Sequence, residues 1–271
     1  MVGRNEAPMI PLHDDNPTEI RPYVTWALIA ICVLVFLWQQ TPGNGGVVLS
    51  LGFIPAVLLG KAELSPELVM VPAALTPVTS MFLHGGWMHL IGNMLYLWIF
   101  GNNVEDAMGH GRFIAFYAVC GLAAAAAQAA LDPASRIPMI GASGAIAGVL
   151  GAYALLYPRA KVLVLIPIFV IFTTVRLPAL WVLGGWFVLQ LINGALADPA
   201  GGGVAWWAHI GGFAAGLALI WLFKRKDIKL LTARARSPSG LTVVRGRPRP
   251  RRTSQHVPTV SRPRRGPWGR S

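Results

Sequence analysis

Charge is scarce in this chain of 271 residues. Only 13% of positions are Asp, Glu, Lys or Arg, against ~25% in an ordinary soluble domain. With 54% hydrophobic residues, that deficit excludes a soluble globular fold and points to an integral membrane protein. Alternating ten-residue apolar runs are missing while long continuous ones recur, so the spans are helical. Cysteine is nearly absent. Cys32 and Cys120 both fall inside apolar runs and lack metal-ligand spacing, so neither a disulfide nor a metal site is expected. No H-E-x-x-H occurs, which excludes a zinc protease of that type. No carboxylate lies mid-span: Glu105 and Asp106 sit at the inner end of one apolar run, Asp132 and Asp198 in connections. A pair of intramembrane aspartates is therefore excluded as well. A transporter would show discontinuous helices or paired repeats, and Pro167 is the only hint of these. The net charge of +12 suggests nucleic acid, but 15 of the 23 Lys and Arg lie after residue 223, outside the apolar body. No nucleic-acid partner is expected. The basic tail reads as a topology determinant beside anionic lipid.

Six spans are expected, near 23–40, 88–107, 112–131, 141–158, 178–196 and 204–223. Each has 18–20 residues, enough at ~1.5 Å per residue for a ~30 Å hydrocarbon core, the shortest only just. Residues 1–22 are polar, so the run from Tyr23 reads as a retained first span rather than a cleaved signal. The stretch 162–175, "VLVLIPIFVIFTTV", is apolar but short and interrupted by Pro167; it reads as an interfacial or re-entrant segment. With six spans and a cytoplasmic N-terminus, 21 of the 23 basic residues fall on the cytoplasmic side, and only Lys61 and Arg136 fall outside. The fold class expected is thus an all-α membrane protein: a six-helix bundle with a long, partly membrane-embedded external loop over 41–87. The domain division is a cytoplasmic segment 1–22, a helical domain 23–223, and a basic, disordered cytoplasmic tail 224–271. Both termini are expected in the cytoplasm.

Polar residues inside such spans are costly and mark function. Ser143 enters the fourth span in "GASGAIAGVLGAY", His209 lies in the sixth in "AWWAHIGGFAAGLAL", and "HLIGN" (His89 to Asn93) opens the second. Spans two, four and six all run inward, so these residues share a depth near the outer surface. His89 and Asn93, at i and i+4, share a helix face. A serine needs a base, and His209 is the histidine of its span; with no carboxylate to orient it, the pair is a Ser–His dyad. Asn93, His89 and the Ser143 backbone N–H can serve a developing oxyanion. Gly144, Gly148 and Gly151 in one span, and Gly212 and Gly216 as G-x-x-x-G in the other, let the two helices approach closely. Taken singly, each has a plainer reading: Ser143 as a packing residue, His209 and Asn93 as interhelical hydrogen-bond partners. Order and depth together favour chemistry.

The run "HGGWMHLIGNMLYLW", then "GASGAIAG", then "AHIGGFAAGLAL" resembles the rhomboid family of intramembrane serine proteases, and the likeness extends over roughly residues 20–223. The resemblance implies Ser143 as nucleophile, His209 as base, and His89 and Asn93 as oxyanion stabilisers. It further implies that His84 holds the external loop near the site and that Gly141 is the first glycine of G-x-S-G. Many members carry an aromatic residue four positions after the serine, stacked on the histidine; here it is Ala147. Many carry Trp-Arg in the external loop, which this chain lacks. The implied partners are the lipid bilayer and transmembrane protein substrates cleaved in or near their span. No cofactor is expected, and the implied location is a bacterial cytoplasmic membrane. The alternative is a catalytically inactive, rhomboid-like protein that binds membrane clients; both Ser143 and His209 being present speaks against it.

Overall fold

The computed structural model describes residues 10–168, 171–196 and 204–232. It is mostly helical. Strand β1 covers Ile10–Asp14, and helix α1 covers Tyr23–Gln39. A segment of short helical turns follows, between Val47–Leu51 and Ser80–Phe82. Then come α2 (Trp87–Tyr96), a π-turn at Leu97–Gly101, α3 (Asn102–Met108), α4 (His110–Leu131) and α5 (Ser143–Leu156). Strands β2 (Lys161–Ile168) and β3 (Ile171–Pro178) lead to α6 (Ala179–Leu196) and α7 (Trp206–Phe223). Helices α4, α6 and α7 are each long and apolar enough to cross a membrane; α1 and α5 are apolar but shorter.

Helix α5 is the axis of the bundle. Every residue from Gly144 to Ala154 is buried, because glycines on both sides remove the side chains that would hold neighbours away. A Cβ on Gly212 or Gly216 would run into the carbonyls of Gly144 and Gly148, so α5 and α7 meet backbone to backbone. One on Gly144 would come 2.6 Å from the Ala124 Cβ, and one on Gly148 would strike Cys120, which seats α4 on another side of α5. In lipid, where apolar side chains gain little by meeting one another, such contact supplies the association energy. The free thiols of Cys32 and Cys120 are buried in the core.

The expectation of an all-α fold needs correction. The stretch read as an interfacial or re-entrant segment forms an antiparallel hairpin, paired from Lys161↔Pro178 to Ile168↔Ile171, and β1 adds a third strand in the order β1-β2-β3. The reason lies in its two-residue period. Val162 and Val164 are fully buried while Leu163 and Leu165 are only partly so, and β-branched alternation suits a half-covered strand.

Beneath the bundle a polar cluster replaces the apolar core. Glu105 is fully buried and caps the first turn of α1: Val24 N–H and Thr25 N–H donate to its two oxygens at 2.9 and 2.8 Å. The Thr25 hydroxyl and His110 Nδ1 complete its shell at 2.7 and 2.6 Å. A carboxylate at a helix N-terminus satisfies orphan donors and opposes the dipole. Nearby, Asp14 Oδ2 accepts from the Tyr153 hydroxyl at 2.6 Å and from Asn103 Nδ2 at 2.8 Å, tying β1 to α5 and α3.

Burial outweighs these hydrogen bonds and pushes the Asp14 carboxyl up to about 6 from 3.8. The folded state therefore holds this proton more tightly than the unfolded one. The associated stability is complete below pH ~4 and is lost as pH rises through ~6, by up to about 3 kcal/mol. Asp14→Asn, which keeps an acceptor and stays neutral, should flatten that dependence. Thermal unfolding in detergent between pH 4 and 7.5 checks this; equal slopes for both proteins would mean Asp14 is charged in the fold.

The expected tail begins inside the described residues. Arg225 N–H donates to the Ala107 carbonyl at 2.9 Å and Leu231 N–H to that of Leu155 at 2.8 Å, so 224–232 turns back under the helices. Residues 233–271, which carry the rest of the tail and His256, lie outside the described residues.

Candidate active site

Ser143 is the first residue of α5 and His209 the fourth of α7. The close α5–α7 contact described above brings them together: His209 Nε2 lies 2.8 Å from Ser143 Oγ. His209 is almost fully buried and Ser143 partly so. Both line a cavity of about 470 Å³ whose walls include His89, Asn93, Trp186 and Val204.

Gly141 prepares the entry to α5. Its φ is +120°, a conformation side chains rarely adopt, and a Cβ there would lie 2.8 Å from the His89 ring and 3.5 Å from Asn93 Nδ2. Glycine is needed on both counts. Gly141 N–H donates to the Ser80 carbonyl at 2.9 Å, which fixes the turn against the segment of short helical turns.

His89 and Asn93 project from α2 toward the same cavity. His89 Nδ1 accepts from Gly85 N–H at 3.3 Å, so in the neutral ring the proton sits on Nε2, leaving that atom a donor. Asn93 is buried, and its Nδ2 has no hydrogen-bond partner among the described residues. A buried amide donor left unpaired is costly unless a ligand or transition state meets it. The Ser143 backbone N–H is a third donor, since first-turn N–H groups have no partner within their helix.

His84 stands behind His89, with ring centroids 5.3 Å apart in an edge-to-face arrangement. Its backbone is gripped on both sides by Gln39 of α1: His84 N–H donates to Oε1 at 3.0 Å, and Nε2 donates to the His84 carbonyl at 3.2 Å. These two bonds tie the end of the segment of short helical turns to α1.

Two residues absent from the sequence reading complete the surroundings of His209, and both come from α6. Gln190 Oε1 lies 2.8 Å from His209 Nδ1. The Trp186 ring faces the imidazole at 5.7 Å with a 36° tilt, while Trp206 meets it edge-on at 6.3 Å. Ala147 is fully buried in α5, so the aromatic neighbours of the histidine are supplied by other helices. The sequence carries a signal for Gln190: it is, with Asn193, one of two amides within an apolar span, the same warrant that singles out Ser143 and Asn93.

The arrangement has the parts that acyl transfer requires. It holds a hydroxyl against an imidazole nitrogen, with three donors opening on one cavity. Comparisons with known proteins agree in kind. The family model described as the Rhomboid domain matches residues 73–226. Rhomboid protein 1, mitochondrial, of Saccharomyces cerevisiae is 30% identical over 212 residues, covering 74% of this chain and 54% of that protein. Rhomboid protease GlpG of Klebsiella pneumoniae is 25% identical over 202 residues, covering 73% and 62%. Rhomboid protease GluP of Bacillus subtilis is 36% identical over 132 residues, covering 49% and 24%. The chain thus spans less than two thirds of the length of each of these three relatives.

Proposed function

Since this chain belongs to the rhomboid family of integral membrane proteins, we propose that it is an intramembrane serine endopeptidase acting through Ser143 and His209. The observation that carries the reading is the 2.8 Å contact between His209 Nε2 and Ser143 Oγ at the wall of a cavity. Ser143 Oγ attacks a peptide carbonyl carbon while His209 takes its proton. The oxyanion forms against Asn93 Nδ2, His89 Nε2–H and the Ser143 N–H. Collapse breaks the C–N bond, and the imidazolium returns the proton to the departing amine. Water, deprotonated by His209, then releases the acyl chain and restores the serine.

The substrates are transmembrane proteins cut within or near their span. A helical peptide bond is shielded by its own hydrogen bonding, so local unwinding must precede attack. The same reading includes six spans, with the helical stretch 87–108 as the second, a cytoplasmic segment 1–22 and a basic cytoplasmic tail from 224. The membrane is a bacterial cytoplasmic one. α5 rises only ~21 Å over its 14 residues; surrounded by neighbours, it sets Ser143 back from the bundle's outer end.

An active-site fluorophosphonate tests the function. The purified protein should be labelled at Ser143, and labelling should vanish in Ser143→Ala. A folded protein that takes no label, and cuts no model transmembrane substrate, would instead be a client-binding relative.

Topology has its own expected outcome. A cysteine in place of Gln255 should resist a membrane-impermeant maleimide in intact cells and react after lysis. Labelling in intact cells would place the tail outside and remove the six-span arrangement. Truncation after Thr232 should leave intrinsic activity within ~3-fold, because the removed residues have little apolar content with which to join the bundle.

A further inference from the structure

Resting on the reading of Ser143 and His209 as the catalytic pair, we propose that Gln190 is the positioning residue that fixes the working tautomer of His209. Its amide orientation is determined by its own contacts. Gln190 Nε2 donates to the Trp186 carbonyl one helical turn earlier at 3.3 Å, which leaves Oε1 directed at His209 Nδ1 at 2.8 Å. The flipped amide would set Oε1 against that carbonyl, acceptor against acceptor. A carbonyl-type oxygen can only accept, so His209 Nδ1 must carry the proton. Nε2 is then unprotonated, and it is the nitrogen that lies 2.8 Å from the Ser143 hydroxyl. The chain Trp186 C=O, Gln190 amide, His209 imidazole and Ser143 hydroxyl is thus a line of hydrogen bonds with one consistent direction.

Burial makes the assignment count. Gln190 is 6% exposed and His209 9%, so neither finds ready replacement partners in water, and a misplaced tautomer would leave Nε2–H facing Ser143 with no lone pair for its proton. An amide rather than a carboxylate does this without burying a charge, which suits a site surrounded by apolar helices. Gln190 touches neither substrate nor nucleophile; it acts through His209.

Two substitutions separate positioning from packing. Gln190→Met keeps length and volume and removes the acceptor. Gln190→Glu keeps a carbonyl-type acceptor in either protonation state. A packing role ranks methionine above glutamate in this apolar setting; a positioning role ranks glutamate above methionine. We expect Gln190→Met to slow fluorophosphonate acylation of Ser143 and the kcat for a model substrate by ~10–100-fold with little change in KM, since orientation is part of what a general base contributes. Gln190→Glu should retain several-fold more activity than the methionine variant. Nitrogen-15 NMR of histidine-labelled protein reads the tautomer directly, with the His209 signals identified by their loss in His209→Ala. The wild type should show a protonated Nδ1 and a bare Nε2, and Gln190→Met a mixture. That wild-type spectrum needs no activity and no folded Gln190 variant, so it tests Gln190 even if Ser143 takes no label. A protonated Nε2 in the wild type, or a methionine variant equal to or better than glutamate, overturns the proposal.

Discussion

Ser143→Ala and His209→Ala should each reduce cleavage of a model transmembrane substrate by ~10⁴-fold or more, to the limit of detection, while the protein remains folded. The expected size follows from the way nucleophile and base work as a unit. Without the hydroxyl there is no bond to form, and without Nε2 the hydroxyl keeps its proton. The double variant should therefore be hardly worse than either single one. Folding should survive because neither side chain carries the packing. α5 and α7 are held by the backbone contacts at Gly144 with Gly212 and Gly148 with Gly216, and Ser143 sits at the open end of its helix. Unfolding in detergent, followed for all four proteins, separates loss of chemistry from loss of structure. Steady proteolysis by a folded Ser143→Ala protein would end the serine mechanism. Additive losses would show that the two residues act in separate steps.

Asn93→Ala is the second large effect, an expected drop in kcat of ~10–1000-fold. The amide Nδ2 is buried at the site with no partner among the described residues; on the proposed mechanism it meets a charge that appears only in the transition state. An interaction of that kind lowers kcat when removed and leaves KM nearly unchanged. The loss should be smaller than for the dyad, because His89 Nε2–H and the Ser143 N–H remain. Removing an unsatisfied buried donor should also leave stability unchanged or slightly raise it. That pairing of outcomes, slower catalysis with an equal or higher unfolding temperature, is one that a packing role does not produce. Unchanged kcat together with a destabilised protein would reassign Asn93 to interhelical packing.

The sequence by itself determined the membrane character, the family and the order of the polar residues along the chain. Scarcity of charge and the length of apolar runs require a helical membrane protein, whatever the neighbours do. The serine, histidine and asparagine are legible for the same reason: a polar side chain in an apolar run stands out against its surroundings. The glycines of α5 and α7 show their purpose through spacing alone, since small residues four apart face one way on a helix. What the tertiary structure decided is which helix lies beside which polar atom. Gln190 stands out in an apolar span as Asn93 does, but nothing in the order of residues says that α6 presents it, rather than Asn193, to Nδ1 of His209, 19 positions away. Ala147 looks like a missing aromatic until the ring of Trp186 is found facing the imidazole from α6. The stretch 162–175 is apolar at every level of reading. Its two-residue burial becomes visible only when β1, from the other end of the chain, pairs with it and the bundle covers one face. Glu105 and Asp14 show the same division. Their charge is plain in the sequence, but their burial is set by partners some 80 to 139 positions away, Thr25 and Tyr153, which only the packed helices bring within hydrogen-bond reach.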